Sequence, residues 1–371
     1  MLRHWGRRLL VALLVVAHGS ALVAAEPVGE REVASLQSTV AKGIEFLRSS
    51  QAEDGTYSRQ FGPGVTGLAT AALLRHGRSP ADPEVAAGLK FLEGCVQPDG
   101  SITLAKPGTT NYDTSICLAC FALANADKRY DKIIADARLF LAKVQRDEGE
   151  GRALSDADYG GVGYTIKTPG GDLSNTHMTI DAFQAAGAGP DDDPLKRAII
   201  FVSRCQNLES EHNTLPFATK VNDGGFYYSP VGEGYSAAGR VSPGVLRSYA
   251  SMTYAGLQSL LVGGVKRDDP RVQAAIKWLQ NNYSVEENVG LGQSGLYYYY
   301  NLMAQGLDTL GDDTFEDAAG VKHDWRAELT AALAKRQRGD GSWSNPDRRW
   351  YESDPNLASS FALLALSYCR P

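Results

Sequence analysis

The densest group of chemically capable side chains in the 371-residue sequence is Gly170-Gly171-Asp172-Leu173-Ser174-Asn175-Thr176-His177-Met178-Thr179-Ile180-Asp181. His177 and Asp181 stand four residues apart, which on a helix places them on one face. A carboxylate beside an imidazole orients it and tunes its proton affinity, the arrangement of a proton-transfer pair. The competing reading is a polar contact between packed helices, each group satisfying the other. Asp113, at the start of another small-residue-rich segment, supplies a second carboxylate. We therefore name His177, Asp181 and Asp113 as candidate catalytic residues. Ser115, Tyr249, Tyr254 and Tyr298 are candidate ligand-binding residues, the tyrosines suited to an apolar or carbohydrate-binding cavity. Tyr298 belongs to the run Tyr297-Tyr298-Tyr299-Tyr300, and four consecutive helical side chains point around most of the circumference, so packing must claim at least half of them.

These residues need a scaffold, and composition bounds it. A chain of this length exceeds one simple hydrophobic core, and 43% hydrophobic with 22% charged residues fits a soluble globular protein. Net charge is −6, and it becomes −9 without residues 1–25, which hold Arg3, Arg7 and Arg8 and no acid. So acidic a body argues against nucleic acid as a partner. The three arginines precede the apolar run Leu9 to Val16, and Val23-Ala24-Ala25 offers the small residues of a cleavage site. The expectation is a signal peptide over 1–25, a mature chain over 26–371, a secreted or periplasmic location, and no transmembrane anchor after processing. Cys95, Cys117, Cys120, Cys205 and Cys369 are odd in number and read as small buried apolar residues. The patterns G-x-S-x-G, H-E-x-x-H and G-x-x-x-x-G-K-[ST] are absent.

Self-similarity decides the architecture. A bulky anchor recurs at Phe46, Phe91, Phe140, Phe201 and Trp278, with a weaker copy near Ala332. Such spacings suit a helical hairpin with a variable connection. Asp82-Pro83, Asp193-Pro194 and Asp269-Pro270 read as helix starts, since Asp caps and proline fits the first turn. Asp191-Asp192-Asp193 is accordingly a helix start before it is a carboxylate cluster. Most first helices then end in a glutamine: Gln51, Gln97, Gln145, Gln206 and Gln337, with Tyr283 in the fifth copy. A glycine turn and an aromatic follow, as in Asp54-Gly55-Thr56-Tyr57 and Asp340-Gly341-Ser342-Trp343. Second helices are expected near 65–76, 113–125, 175–187, 249–263, 294–310 and 356–368. The long connection from Gln206 to Ser248 is a candidate lid or partner-contact segment.

This glutamine, Asp-Gly and aromatic pattern resembles the repeat signature of the prenyltransferase and squalene-cyclase superfamily across nearly the whole mature chain. The resemblance implies an all-α fold, an α/α toroid of six helical hairpins with about twelve helices in inner and outer rings around a central cavity. It also compares His177 with the zinc-binding histidine of protein prenyltransferase β subunits. The corresponding Asp-x-Cys is Asp113-Thr114-Ser115 here, so the zinc ligand set is incomplete and no cofactor is assigned. The D-x-D-D acid of squalene-cyclase-type enzymes is absent as well. Aligned by their apolar residues, Gly67, Ser115, His177, Ser251, Leu296 and Leu357 share one register, which points His177 and Asp181 into the cavity near Asp113. The functional expectation is an exported toroid that binds a small apolar ligand, a glycan or a protein. The alternatives are a divergent terpene-cyclase-like, prenyltransferase-like or carbohydrate-active enzyme, and a structural scaffold.

Overall fold

The computed structural model of the protein describes residues 28–104 and 108–370, so the expected signal peptide lies outside the described residues. Helices dominate. They are α1 (Val28–Ser50) and α2 (Pro63–Arg75), α3 (Pro83–Glu93) and α4 (Thr110–Leu123), α5 (Asp131–Val144) and α6 (Leu173–Ala185). After α7 (Asp193–Arg204), the one-turn α8 (Ala218–Val221) lies in the long connection to α9 (Ala250–Val262). Two pairs complete the chain, α10 (Pro270–Asn281) with α11 (Leu296–Leu310), and α12 (Trp325–Arg336) with α13 (Pro355–Ser367). Two small antiparallel hairpins, β1 (Arg240–Ser242) with β2 (Val245–Leu246) and β3 (Phe315–Glu316) with β4 (Lys322–His323), decorate the connections. Among the described residues no helix is long and apolar enough to cross a membrane.

The second helices form a closed inner ring. α2 packs against α4, α4 against α6, α6 against α9, α9 against α11, α11 against α13, and α13 returns to α2. Their sequences explain why they sit inside. α2 is buried continuously from Pro63 to Leu73 and α13 from Leu357 to Leu366, and their Ala, Ser, Thr and Gly content lets neighbours approach. First helices are one-sided, as an outer layer requires. α7 buries Leu195, Ala198, Ile199, Phe201 and Val202 while Lys196 faces solvent. All five cysteines are buried and unpaired.

The terminal glutamines join the hairpins. Gln145 Nε2 donates to Gly160 O of its own turn and to Pro194 O at the start of α7, both at 2.9 Å. Gln51 bridges Gly55 O and Glu84 O, Gln206 bridges Gly224 O and Arg271 O, and Gln337 bridges Gly341 O and Thr39 O. The last of these closes the ring from α12 onto α1. Tyr283, which replaces glutamine in the fifth copy, instead donates to Glu328 of α12 at 2.9 Å. Gln97 turns back on Cys95 O and Thr103 O in its own turn. The glycine beside each bridge is dictated by space as well as by backbone. Gly160 has φ 83°, and a Cβ there would lie 1.8 Å from Arg197 O.

Helix caps follow the sequence. Asp172, Asp269, Asp324 and Asp354 accept backbone N–H bonds at the starts of α6, α10, α12 and α13. Asp192 caps α7 in position only, and its carboxylate pairs with Arg138. α11 has Gly295 at its N-cap, and its first turn is capped from elsewhere, by Glu352.

Removing the Gln145 side chain takes one donor from Gly160 O and one from Pro194 O in the same step. Gln145→Ala is expected to cost roughly 2–4 kcal/mol, read from the denaturant midpoint. Gln97→Ala, whose bonds stay within one turn, is expected to cost less. Equal losses in the two variants would contradict the role given to the bridge.

Candidate active site

A second repeated contact fixes how five of the six inner helices are rotated. The hydroxyls of Thr66, Thr114, Thr176, Thr253 and Ser359 accept from the backbone N–H of Tyr57, Ile102, Val162, Phe226 and Trp343, at 2.9 to 3.1 Å. Counting from these hydroxyls, His177 corresponds to Gly67, Ser115, Tyr254 and Ser360. The apolar alignment, which paired it with Ser251 and Leu357, is therefore three residues early in α9 and α13. Inner helices are apolar on nearly every face, so hydrophobic pattern alone does not set their rotation.

All six inner helices begin at the same end of the ring, and their first turns surround a cavity of about 520 Å³. Tyr112, Tyr164, Tyr228, Tyr249, Tyr298 and Phe361 wall it, with Val65, Met178, Met252 and Leu357 between them. Trp350 and Tyr351 stand at the rim, 39% and 62% exposed. Both hold left-handed backbone, at φ 58° and 64°, a costly conformation for bulky side chains. The long connection after α7 supplies Tyr228 and packs its own small core of Phe217, Tyr227 and Leu246. It is tied to α6 through Leu173 N to Tyr228 O at 2.8 Å.

Two carboxyls face this aromatic space. Asp113 is 2% exposed, and its oxygens accept from Gly64 N at 3.1 Å and from the Thr109 hydroxyl at 2.8 Å. Burial pushes its pKa up to about 7 against the pull of those two bonds. Glu352 is 1% exposed and accepts from Tyr298 N and Asn345 Nδ2, each at 2.8 Å. Burial raises it as well, opposed by these donors and by the amides of Tyr297 and Leu296. Asp172, raised to about 6 by burial, stays behind the wall as the cap of α6, bonded to Asn175.

Of the residues singled out from sequence, Asp113, Tyr249 and Tyr298 line the cavity. Tyr298 donates to or accepts from Ser174 at 2.8 Å, whereas Tyr299 and Tyr300 send their hydroxyls back to Ser284 O and Val285 O. Tyr254 is fully buried against Tyr299, and Ser115 sits in the seam between α4 and α6 beside Thr179.

The expectation that His177 and Asp181 join Asp113 in the cavity is corrected. His177 is 1% exposed with Nδ1 3.2 Å from Ser259 Oγ of α9, and Nε2 lies 3.5 Å from Asp181. Asp181 is three residues beyond the last lining residue of α6, Met178, about 4.5 Å farther along the axis, and neither it nor His177 lines the cavity. There it accepts from Gln258 at 3.0 Å and Gln305 at 3.3 Å. The pair forms, but as a polar contact among α6, α9 and α11, away from the aromatic cavity.

Sequence reasoning missed Tyr112, Tyr164, Tyr228, Trp350, Tyr351 and Glu352. Tyr112 falls in the first turn of α4, and Tyr164, Trp350, Tyr351 and Glu352 fall in the connections that precede α6 and α13, while Tyr228 belongs to the 206–248 connection read from sequence as a candidate lid. Among the described residues no three His, Cys, Asp or Glu side chains converge as a metal site.

No protein-family model and no curated protein matches the sequence. Solved structures do. The chain is similar to an Asp-to-Ala variant of the type II terpene cyclase MstE from Scytonema, solved with the product merosterolic acid A, at 14% identity over 91% of this chain and 98% of that one, TM-score 0.58. A variant of the same cyclase, solved with its substrate geranylgeranyl dihydroxybenzoate, gives 12% identity over 92% and 99%, TM-score 0.55. A polysaccharide lyase is also similar, at 12% identity over 90% and 97%, TM-score 0.52. These likenesses establish the architecture: the chain folds as an α/α toroid of the kind found in terpene cyclases.

Proposed function

We propose that the protein takes an apolar, isoprenoid-like small molecule into the mouth-side cavity and delivers a proton to it from Asp113. The observation that carries this reading is a carboxyl buried at the wall of an aromatic cavity, where desolvation pushes its pKa up to about 7. At about 520 Å³ the cavity is of small-molecule size. A neutral acid in a low-dielectric site is suited to donating its proton. Protonating an alkene leaves a carbocation, and aromatic faces attract cations. The reading is compatible with the ligands of the cyclase neighbour, which are prenylated and terpenoid molecules.

A carbohydrate-lyase reading is less well supported. Such chemistry needs a base to remove a proton, and burial pushes the ionisation of Tyr112, Tyr249 and Tyr298 upward, so these phenols hold their protons and Glu352 is the one carboxylate besides Asp113 among the lining residues that could serve. A glycan would also present hydroxyls to Met178, Met252, Leu357 and Phe361, which offer no strong partners. The proposal retains export, on the leader-like pattern of residues 1–25.

Three measurements test this reading. Farnesol, geranylgeraniol and squalene are expected to quench Trp350 fluorescence, and a Trp350→Phe variant to lose that signal. Binding of soluble oligosaccharides but of none of these probes would overturn the apolar assignment. Asp113→Asn is expected to retain binding and to lower any turnover by ~100-fold or more. The pH dependence has a definite sign. Folded Asp113 releases its proton near 7 and an unfolded aspartate near 3.8, so the folded state binds the extra proton between those values. Asp113 therefore makes stability fall as pH rises through that window. Asp113→Asn removes this slope and is expected to be the more stable form above pH 7 by roughly 2–4 kcal/mol. Exported material is expected to begin at Glu26 on N-terminal sequencing, and retention of Met1 would overturn export.

A further inference from the structure

Building on the proposed proton donation by Asp113, we infer that Glu352 is the proton acceptor that ends the reaction. The ring order places the two carboxyls on opposing sides. Asp113 opens α4 and Glu352 caps α11, and three steps separate α4 from α11 in either direction around the six inner helices. Both groups line the same cavity, and no histidine or other carboxylate does so among the described residues.

Their hydrogen-bond partners divide the roles. Asp113 bonds to the Thr109 hydroxyl, which donates to a carboxylate and accepts from a carboxylic acid with only a rotation of its O–H. Glu352 meets N–H groups alone, from the first turn of α11 and from Asn345 Nδ2. None of these can accept a proton, so its surroundings are built for the anion. The start of α11 adds the favourable end of a helix dipole. A buried carboxylate stabilised by donors and open to an apolar cavity is a base without competing water. Its placement is also held at a cost, because Trp350 and Tyr351 immediately before it keep left-handed backbone. Asn345 N donates to Glu352 O at 2.8 Å and pins the far side of the turn.

The chemistry balances without a further reactant. The O–H bond of Asp113 breaks and its proton forms a C–H bond at one carbon of a ligand double bond, leaving the neighbouring carbon cationic. Ring closures within the ligand consume further double bonds and move the positive charge. A C–H bond beside the final cation then breaks, its electron pair becomes a new C=C bond, and the proton goes to Glu352. Substrate and product are isomers, and the proton returns to Asp113 through water at the cavity mouth.

The test uses farnesol, geranylgeraniol and squalene in D₂O with the full-length protein, with products analysed by mass spectrometry and NMR. Wild type is expected to give deuterium-bearing isomers in which a C=C bond terminates the product. Glu352→Gln is expected to incorporate deuterium still, while alkene formation falls by ~100-fold and water-captured alcohols take its place. Glu352→Asp keeps an anion at the start of α11 but withdraws it from the cavity, and is expected to reduce the alkene share by about tenfold. This variant carries the test if Glu352→Gln does not fold. An unchanged alkene share in a folded Glu352 variant overturns the assignment and leaves the proton donor standing. Absence of deuterium uptake by wild type from all three probes overturns the proton-donor reading, and the role of Glu352 with it.

Discussion

The glutamine bridge is the contact from which the rest of the architecture follows. A helical hairpin with one apolar face has no fixed relation to the next until something sets their spacing. Gln51, Gln145, Gln206 and Gln337 do so by taking one carbonyl from their own turn and one from the following outer helix. The positive-φ glycine beside each allows that close approach. Where glutamine is missing, Tyr283 reaches Glu328 across the same seam. Four seams bridged by glutamine and a fifth by Tyr283 help bring six inner-helix starts to one end, and the cavity is the space those first turns leave.

Much of that architecture was legible because the repeat is written in unusual residues. A glutamine, a glycine and an aromatic at recurring offsets do not arise from amphipathicity alone, and the expected inner segments fall within a few residues of α2, α4, α6, α9, α11 and α13. The site was harder to read. Asp113, Tyr249 and Tyr298 were found, but His177 and Asp181 were assigned to the cavity by an alignment of apolar residues. That alignment has little power in helices buried all round. The hydroxyls of Thr114, Thr176 and Ser359 carry the register, and a single threonine or serine in a small-residue helix announces nothing by itself. Glu352 lay in Arg348-Arg349-Trp350-Tyr351-Glu352, which reads as a charged surface turn. Only the fold shows that its carboxylate caps α11, accepting from Tyr298 N, 54 residues away in sequence.

Burial acts in the same direction on Asp113 and Glu352, raising both. What separates them is the chemistry of their immediate partners: a reversible hydroxyl beside one amide for Asp113, N–H donors alone for Glu352. An apolar cavity thereby holds two buried carboxyls in different hydrogen-bond surroundings. The absence of a D-x-D-D sequence therefore leaves the chain with an alternative physical route to a protonated aspartate.

The seam between α12 and α1 is made by the same bridge as the seams inside the chain, Gln337 to Thr39 repeating Gln145 to Pro194. In space, the joint between the last hairpin and the first is one of four made by the same glutamine bridge. The order in which the hairpins are synthesised is thus separable from the order in which they are joined. A circularly permuted chain, opened at another connection and linked across the α12–α1 seam, would contain the same set of neighbour contacts. The ring has a first and last hairpin only as a polymer; as a packed object it has a cyclic order and no ends.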